Sequence, residues 1–500
     1  MFAGNITAMI DKIDLRKTKL FAFSMLLAVV TYGFPLSNFS VSIDTELPVF
    51  ANSSLDLGRW GTNLVRYHIF EGHLPYFTLL LGLFFLALTA VELSKVFHFN
   101  GLLGYIFCGL FVTFPQMAYQ LVFTMQADVV PLGFFISVLS VRWFIKSAAE
   151  GFSWKSASLF VLAALGIMFV IAIYQALVFI PIIVFLLVFF QNTYRENFVV
   201  KKALRDGILF CGLMLLSAVF YYISVKLLCP PVEGGYLSSY TSGASNHLFS
   251  KFYSVWKGNL QGNAFYGETL FCLALILAIV VAVKAAIERR YFGWRFVSLF
   301  LMLLLPFIMA FFITNEYYPP RIYVASGIVF AFLITHTFRN LRATQFLLAV
   351  CSLICIAHVY MVTKLFYSNY RIYQHDMEIA KRIDFTIRST YPNFDPSAEY
   401  VYFYGFLPFE HHQRYRLPDS EAFGGSLFNW GDGNNYRIIN FFSYNDIAYY
   451  RMIDDKQVFL GIKDSMETLP VWPKPGSIKE INKVMVVKLG YDKGAPLFVE

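Results

Sequence analysis

Charge is scarce in this chain. Asp, Glu, Lys and Arg make up 14% of its 500 residues, where a water-soluble domain carries roughly 25%. Cysteine is scarce as well. The six cysteines (Cys108, Cys211, Cys229, Cys272, Cys351 and Cys355) lie in or beside apolar segments, and none follows Cys355. That pattern gives neither a disulfide framework nor a C-x-x-C zinc motif. Internal repeats and low-complexity tracts are absent, which argues against the duplicated halves found in many transporters. What the chain has in quantity is hydrocarbon: 57% of residues are hydrophobic, with 55 Phe and 31 Tyr. One water-soluble core could not hide that much apolar surface, so the three or four soluble domains allowed by length are excluded. The composition is that of an integral membrane protein. The net charge of +8 is no sign of nucleic-acid binding, because membrane topology itself concentrates Lys and Arg in short loops.

After the basic stretch Arg16-Lys17-Thr18-Lys19, an apolar run extends from Leu20 to about Leu36. It lacks a small-residue cleavage site and reads as a retained first helix. Further runs of spanning length fall near 75–96, 101–123, 128–146, 157–173, 175–191, 207–228, 268–287, 296–314, 322–338 and 345–366, about eleven transmembrane helices in all. The 157–191 stretch fits either two short helices meeting at Tyr174-Gln175 or one long tilted helix. Loops on one side hold Lys12, Arg16, Lys17, Lys19, Lys95, Arg142, Lys146, Lys155, Arg195, Lys201, Lys202, Arg205, Lys284, Arg289, Arg290, Arg295, Arg339 and Arg342. Those on the other hold Arg59, Arg66, Lys251, Lys257 and Arg321. The bias of about 18 to 5 places the N-terminus in the cytoplasm, and an odd span count places everything after Phe366 outside. The expected fold is a polytopic α-helical membrane domain, residues 1–366, followed by a small outer α/β domain, residues 367–500. Two outer loops stand out, 37–74 and 229–267. In the tail, residues 370–390 carry a helical pattern, and 399–406 and 484–489 read as strands.

The first outer loop has the densest chemistry. Asp44 and Glu46 are two apart, so in an extended segment they point the same way. Two carboxylates at a membrane surface can act as general base and partner, or hold a divalent cation. From Leu55 onward the pattern suits an interfacial helix, with Leu57, Trp60, Leu64 and Tyr67 on one face and Arg59, Asn63 and Arg66 on another. Arg59 and Arg66 would then lie at headgroup level, where guanidinium groups suit a lipid phosphate. The alternative is that they are interfacial anchors and that Asp44 and Glu46 are solvated loop charges.

The loop Asn315-Glu316-Tyr317-Tyr318-Pro319-Pro320-Arg321 adds Glu316 and Arg321, the latter at the outer end of a span where it can anchor or reach inward. Gln116, Tyr119, Gln120, Asp128, Tyr174 and Gln175 form a polar set on the same side. Asp128 is a functional candidate because an ionisable group at membrane depth is costly, whereas interhelical hydrogen bonding suits Gln175. His411 and His412 are adjacent, so their side chains diverge and make a poor metal motif. In the tail, Trp430, Asp432 and Asn434 combine an indole face with planar hydrogen-bonding groups, a mixture that suits carbohydrate and equally suits a turn.

Taken in order, Ser42-Ile43-Asp44-Thr45-Glu46, Gly58-Arg59-Trp60-Gly61, Tyr174-Gln175-Ala176, Pro320-Arg321, Tyr370 to Asp376, and Trp430-Gly431-Asp432-Gly433-Asn434 with Arg437-Ile438 resemble the serotype-converting O-antigen glucosyltransferases. These belong to the GT-C superfamily of polyprenyl-phosphate-sugar enzymes of the bacterial inner membrane. Each motif is short; their order along one chain is the specific part. The resemblance implies an undecaprenyl-phosphate-glucose donor, made and flipped by a companion synthase and flippase. It also implies a lipid-linked O-antigen acceptor at the periplasmic face. By the same resemblance, catalytic acids belong in the first outer loop, at Asp44 and Glu46. Arg59, Arg66 and Arg321 would take the lipid phosphate, and Trp60, Tyr119, Gln120, Asp128, Tyr174, Gln175, Glu316, Trp430, Asp432 and Asn434 the substrates. The rival classes are a lipid-linked oligosaccharide flippase or polysaccharide transporter, and an O-antigen polymerase or ligase.

Overall fold

A computed structural model describes residues 15–47, 51–70, 72, 74–151, 153–230, 248–261, 271–311, 319–339, 344–408, 414–415, 417, 422–492, 494 and 497. The chain divides into two compact units. One comprises Met1–Ser37 and Ala51–Thr363, the other Asn38–Phe50 and Lys364–Glu500. Part of the loop after the first helix thus belongs with the tail, and the boundary in the C-terminal half falls inside a helix, Thr344–Thr390.

The first unit is a bundle of apolar helices. Among the described residues, ten helices of the chain are long and apolar enough to cross a membrane, from Arg16–Ser37 to Gln345–Thr390. An eleventh, Ser326–Phe338, has 13 residues, about 20 Å at the α-helical rise, which is short of a hydrocarbon core of roughly 30 Å. Its residues Ser326 to Thr335 are buried, so protein rather than lipid surrounds it. The helix Val200–Leu228 is the opposite case: only Phe210, Leu213 and Ser217 are buried, as suits a helix facing lipid along most of its surface.

Several helices are interrupted for local reasons. Tyr174 is extended (φ −156°, ψ 119°) between Trp154–Ile173 and the turn Gln175–Val178 that opens Phe179–Asn192. The 157–191 stretch is therefore two helices. The expected span 101–123 breaks at extended Phe114, where Pro115 ends the ladder and opens a short turn. Phe292–Leu304 tightens into a 3-10 segment through Pro306.

The single helix expected from Leu55 is not formed. Gly58 (φ +69°) separates Ala51–Asp56 from Trp60–Asn63, which runs on as a π-helix, Leu64–Ile69. The faces are also reversed: Arg66 is 2% exposed and Asn63 is buried, while Leu64 is 40% exposed. The polar side of this segment turns inward because its partners lie in the bundle, and an apolar residue faces lipid at no cost.

The second unit is a layered α/β fold. Strands β1 (Tyr400–Tyr404), β2 (Arg451–Met452), β3 (Ile478–Ile481) and β4 (Val484–Lys488) form a sheet in the order β2-β1-β4-β3. β1 runs parallel to β2 and β4. β3 and β4 are antiparallel, joined by Asn482 and Lys483, both left-handed, as a two-residue hairpin turn requires. Alternation along β1 and β4 makes two apolar faces. Val401, Phe403, Met485 and Val487 pack on Ile379, Ile383, Ile438, Phe441 and Phe442, with Val41 in the same cluster. Tyr402, Tyr404, Val484 and Val486 pack on Ile462 and Met466. β1 and β4 lie within the two segments read as strands. β2 and β3, of two and four residues, are too short to announce themselves.

Candidate active site

In the second unit, Asn38–Leu47 is tied down by three contacts. Asn369 donates to the Ser40 hydroxyl at 2.8 Å, Phe39 meets Tyr373 edge to face, and Val41 is buried. The chain then turns at Ser42–Thr45, where the Thr45 N–H donates to the Ser42 carbonyl at 3.1 Å. Asp44 occupies the left-handed region at φ +72°, a conformation that Asp tolerates better than most residues. The segment is a turn rather than extended, yet both acids converge on one cation. Arg437 donates from Nη2 to Asp44 Oδ1 at 2.8 Å and from Nη1 to Glu46 Oε1 at 2.5 Å.

Arg437 stands in the first turn of the helix Asn435–Tyr444, whose start is capped by the Asn434 side chain accepting from the Arg437 N–H. Asn435 pins that helix to β1 through both backbone groups of Phe403, at 2.7 and 2.8 Å. A cation at a helix N-terminus is electrostatically misplaced, and the two carboxylates compensate for it. Trp430 and exposed Asp432 lie in the turn just before the cap, with Asp432 also left-handed at φ +54°. Asp376, fully buried, accepts from the Ser426 hydroxyl at 2.8 Å and the Leu427 N–H at 2.9 Å, which anchors the loop leading to Trp430.

The two acids differ in environment. The Glu46 side chain is fully buried, and its Oε2 has no hydrogen-bond partner among the described residues. Burial pushes its pKa up to about 7, against the pull of Arg437 and with a smaller push from Asp44. The Asp44 side chain is 36% exposed. One carboxylate is thus open to solvent, and the other is buried against the same guanidinium. Among the described residues no three His, Cys, Asp or Glu side chains gather into a metal site, and the guanidinium supplies positive charge to both acids. Arg437 is the site residue that sequence-local reasoning missed, because 391 residues separate it from Glu46.

Most of the other candidates lie in the first unit, in groups of neighbouring side chains. Gly58 and Gly61 explain the shape of Gly58-Arg59-Trp60-Gly61. A methyl at Gly58 would meet the Tyr221 hydroxyl at 2.8 Å, and one at Gly61 would press on the Ala172 backbone at 3.0 Å. That close approach lets Arg59 donate to Gln175 Oε1 at 3.2 Å and lie over the Tyr174 ring at 4.8 Å. Gln175 in turn donates to the Leu57 carbonyl and the Tyr221 hydroxyl, and the Trp60 indole donates to Ser224 at 2.9 Å. The Arg321 guanidinium lies over Phe123 at 4.7 Å, and its carbonyl accepts from Gln120 at 2.5 Å and from Gln116. Tyr119 is fully buried in the same turn.

Arg66 is buried in protein rather than presented on an outward face. Its guanidinium donates to the Met125 carbonyl, the Gly72 carbonyl and Asp128 Oδ1, with Arg66 and Asp128 2% and 1% exposed. This pair ties the segment Leu64–Ile69 to the turn at Met125–Asp128. Glu316, His411 and His412, together with 231–247 and 262–270 of the middle loop, lie outside the described residues.

A family model described as glucosyl transferase GtrII matches residues 33–369. The chain belongs to that family. The GtrII match spans about two thirds of the sequence and takes in Asp44, Glu46, Arg59 and Arg321, and it ends before Asp376, Trp430 and Arg437. The protein is accordingly a glycosyltransferase, of the serotype-converting Gtr group. Comparison with curated proteins found no match, and comparison with solved structures found none.

Proposed function

We propose that this GtrII-family enzyme transfers a glucosyl residue from undecaprenyl-phosphate-glucose to a sugar of lipid-linked O-antigen, at the periplasmic face of the inner membrane and with inversion. The observation that carries this reading is the arrangement at Arg437: a partly exposed Asp44 beside a buried Glu46 on one guanidinium. Such a pair separates the two tasks an acid has in glycosyl transfer. Asp44, partly exposed, takes the proton from the acceptor hydroxyl as the hydroxyl oxygen bonds to the anomeric carbon. The bond from that carbon to the donor phosphate oxygen breaks with its electron pair, releasing polyprenyl phosphate. Glu46 and Arg437 fix the position of Asp44. Arg59 and Arg321 stabilise the departing phosphate, a job suited to paired N–H donors. A polyisoprenoid donor explains the membrane bundle, because its tail must be gripped in the bilayer. The excess of Lys and Arg in alternate loops supports the sidedness.

The deciding experiment uses purified full-length protein with polyprenyl-phosphate-glucose and lipid-linked acceptor. Asp44→Asn should reduce transfer by at least about a thousandfold, near the upper range for loss of a general base, with unchanged membrane insertion. Near-normal turnover by that variant removes Asp44 from the mechanism. Absence of any transfer by wild-type protein with this donor overturns the substrate assignment.

A further inference from the structure

At the other ends of the bundle helices, His98 and the turns after Asn192, Glu288 and Phe338 border one cavity of about 1010 Å³ in the first unit. Its lining holds Arg195, Lys284, Arg290, Arg295 and Arg339 against one carboxylate, Glu288. That carboxylate is already engaged: Arg295, 3% exposed, donates to Glu288 at 2.7 Å, to the Thr193 carbonyl at 3.0 Å and to the Thr193 hydroxyl at 3.2 Å. Arg290 donates to the Glu196 carbonyl. Among the described residues no carboxylate pairs with Arg195, Lys284 or Arg339. Two further polar atoms, the Tyr194 hydroxyl and His336 Nδ1, are buried without a hydrogen-bond partner among the described residues.

Membrane topology accounts for cations at these helix ends but not for this arrangement. Topology is satisfied by charges spread into water, where repulsion is screened. Here exposed cations from separate loops line one partly open cavity beside buried polar atoms that lack a partner among the described residues, an arrangement that an anion seated there would stabilise. The volume is that of a ligand site. Arg and Lys side chains beside a hydroxyl are the donor set for phosphate, and basic pockets between membrane helices accept anionic headgroups.

We propose that this cavity binds the phosphate of an anionic lipid headgroup, held by Arg195, Lys284 and Arg339 and completed by the Tyr194 hydroxyl and His336. It is separate from the residues assigned to glucosyl transfer. The test is thermal unfolding and native mass spectrometry of the delipidated full-length protein with diphosphatidylglycerol, phosphatidylcholine or sodium pyrophosphate added. Diphosphatidylglycerol should be retained and should raise the midpoint, and phosphatidylcholine should not. Lys284→Gln combined with Arg339→Gln, both at exposed positions, should weaken retention about 30-fold, as expected for two cations near an anionic surface. Tyr194→Phe changes no charge and removes an unpartnered hydroxyl, so it should fold and still bind less lipid. Stabilisation by pyrophosphate that the same variants abolish would support the phosphate site with a soluble anion as its source. Equal retention of the two lipids, or variants binding as wild type, would overturn the proposal.

Discussion

Arg437 donates to Glu46 at 2.5 Å across 391 residues of chain, and the same guanidinium holds Asp44 at 2.8 Å. A loop near the start of the sequence, inside the family match, is thereby built into a fold formed by its end.

Removing Arg437 should therefore damage more than one contact. Arg437→Ala leaves the fully buried Glu46 without its cation, and the loss of one partner from such a pair costs about 3 kcal/mol. The unfolding midpoint in detergent should fall, and transfer should be lost with it. Adding Glu46→Gln to Arg437→Ala should recover part of the midpoint and none of the activity.

Glu46 also predicts a pH dependence. Its folded pKa, near 7, lies above the unfolded value near 4.5, so the native state holds the proton more tightly. Relative to a pH-insensitive Glu46→Gln variant, the wild-type protein should be most stable below about pH 4.5. It should lose up to about 3 kcal/mol of that advantage as pH rises to 7, and change little above. Parallel unfolding curves for the two proteins from pH 5 to 8 would place Glu46 in an ordinary solvated setting.

The buried Arg66–Asp128 pair should behave as a structural tie. Arg66→Ala or Asp128→Ala alone should destabilise by about 3–5 kcal/mol, and joint replacement by apolar residues of similar volume much less. Denaturation in a double-mutant cycle measures the coupling. A cycle that is purely additive would mean the pair does not hold the turns.

Arg59 and Gly58 test the donor side. Arg59→Lys keeps the charge and loses the paired donors, so kcat/KM for the lipid donor should fall about tenfold, near the value of one charge-assisted hydrogen bond. Gly58→Ala puts a side chain into left-handed backbone and against the Tyr221 hydroxyl, at about 1–2 kcal/mol for the conformation alone. It should shift Gln175 and impair donor use in the same direction. Unaltered donor kinetics in both variants would remove Arg59 from phosphate binding.

The helical segments were legible from the sequence, because lipid enforces long uncharged runs and an internally bonded backbone. So was the break at Tyr174-Gln175 as one of two options. The segment from Leu55 to Tyr67 was not. Its periodicity fits an amphipathic surface helix, but periodicity cannot say whether a polar face meets water or a buried partner such as Asp128. Arg437 was visible as a residue of a recurring motif and invisible as the partner of Asp44.

The membrane character, the alternation of basic loops, the two longer strands and the placement of the acids in the loop after the first helix could all be read from the order of residues alone. These follow from composition and from neighbours in the chain. Only tertiary structure decided which acid is buried, that Arg437 joins both, that Arg66 is spent on Asp128, and that Arg195, Lys284 and Arg339 face one cavity. Charge pairing depends on distance through space and on exclusion of water, and neither quantity is written in the local order of residues.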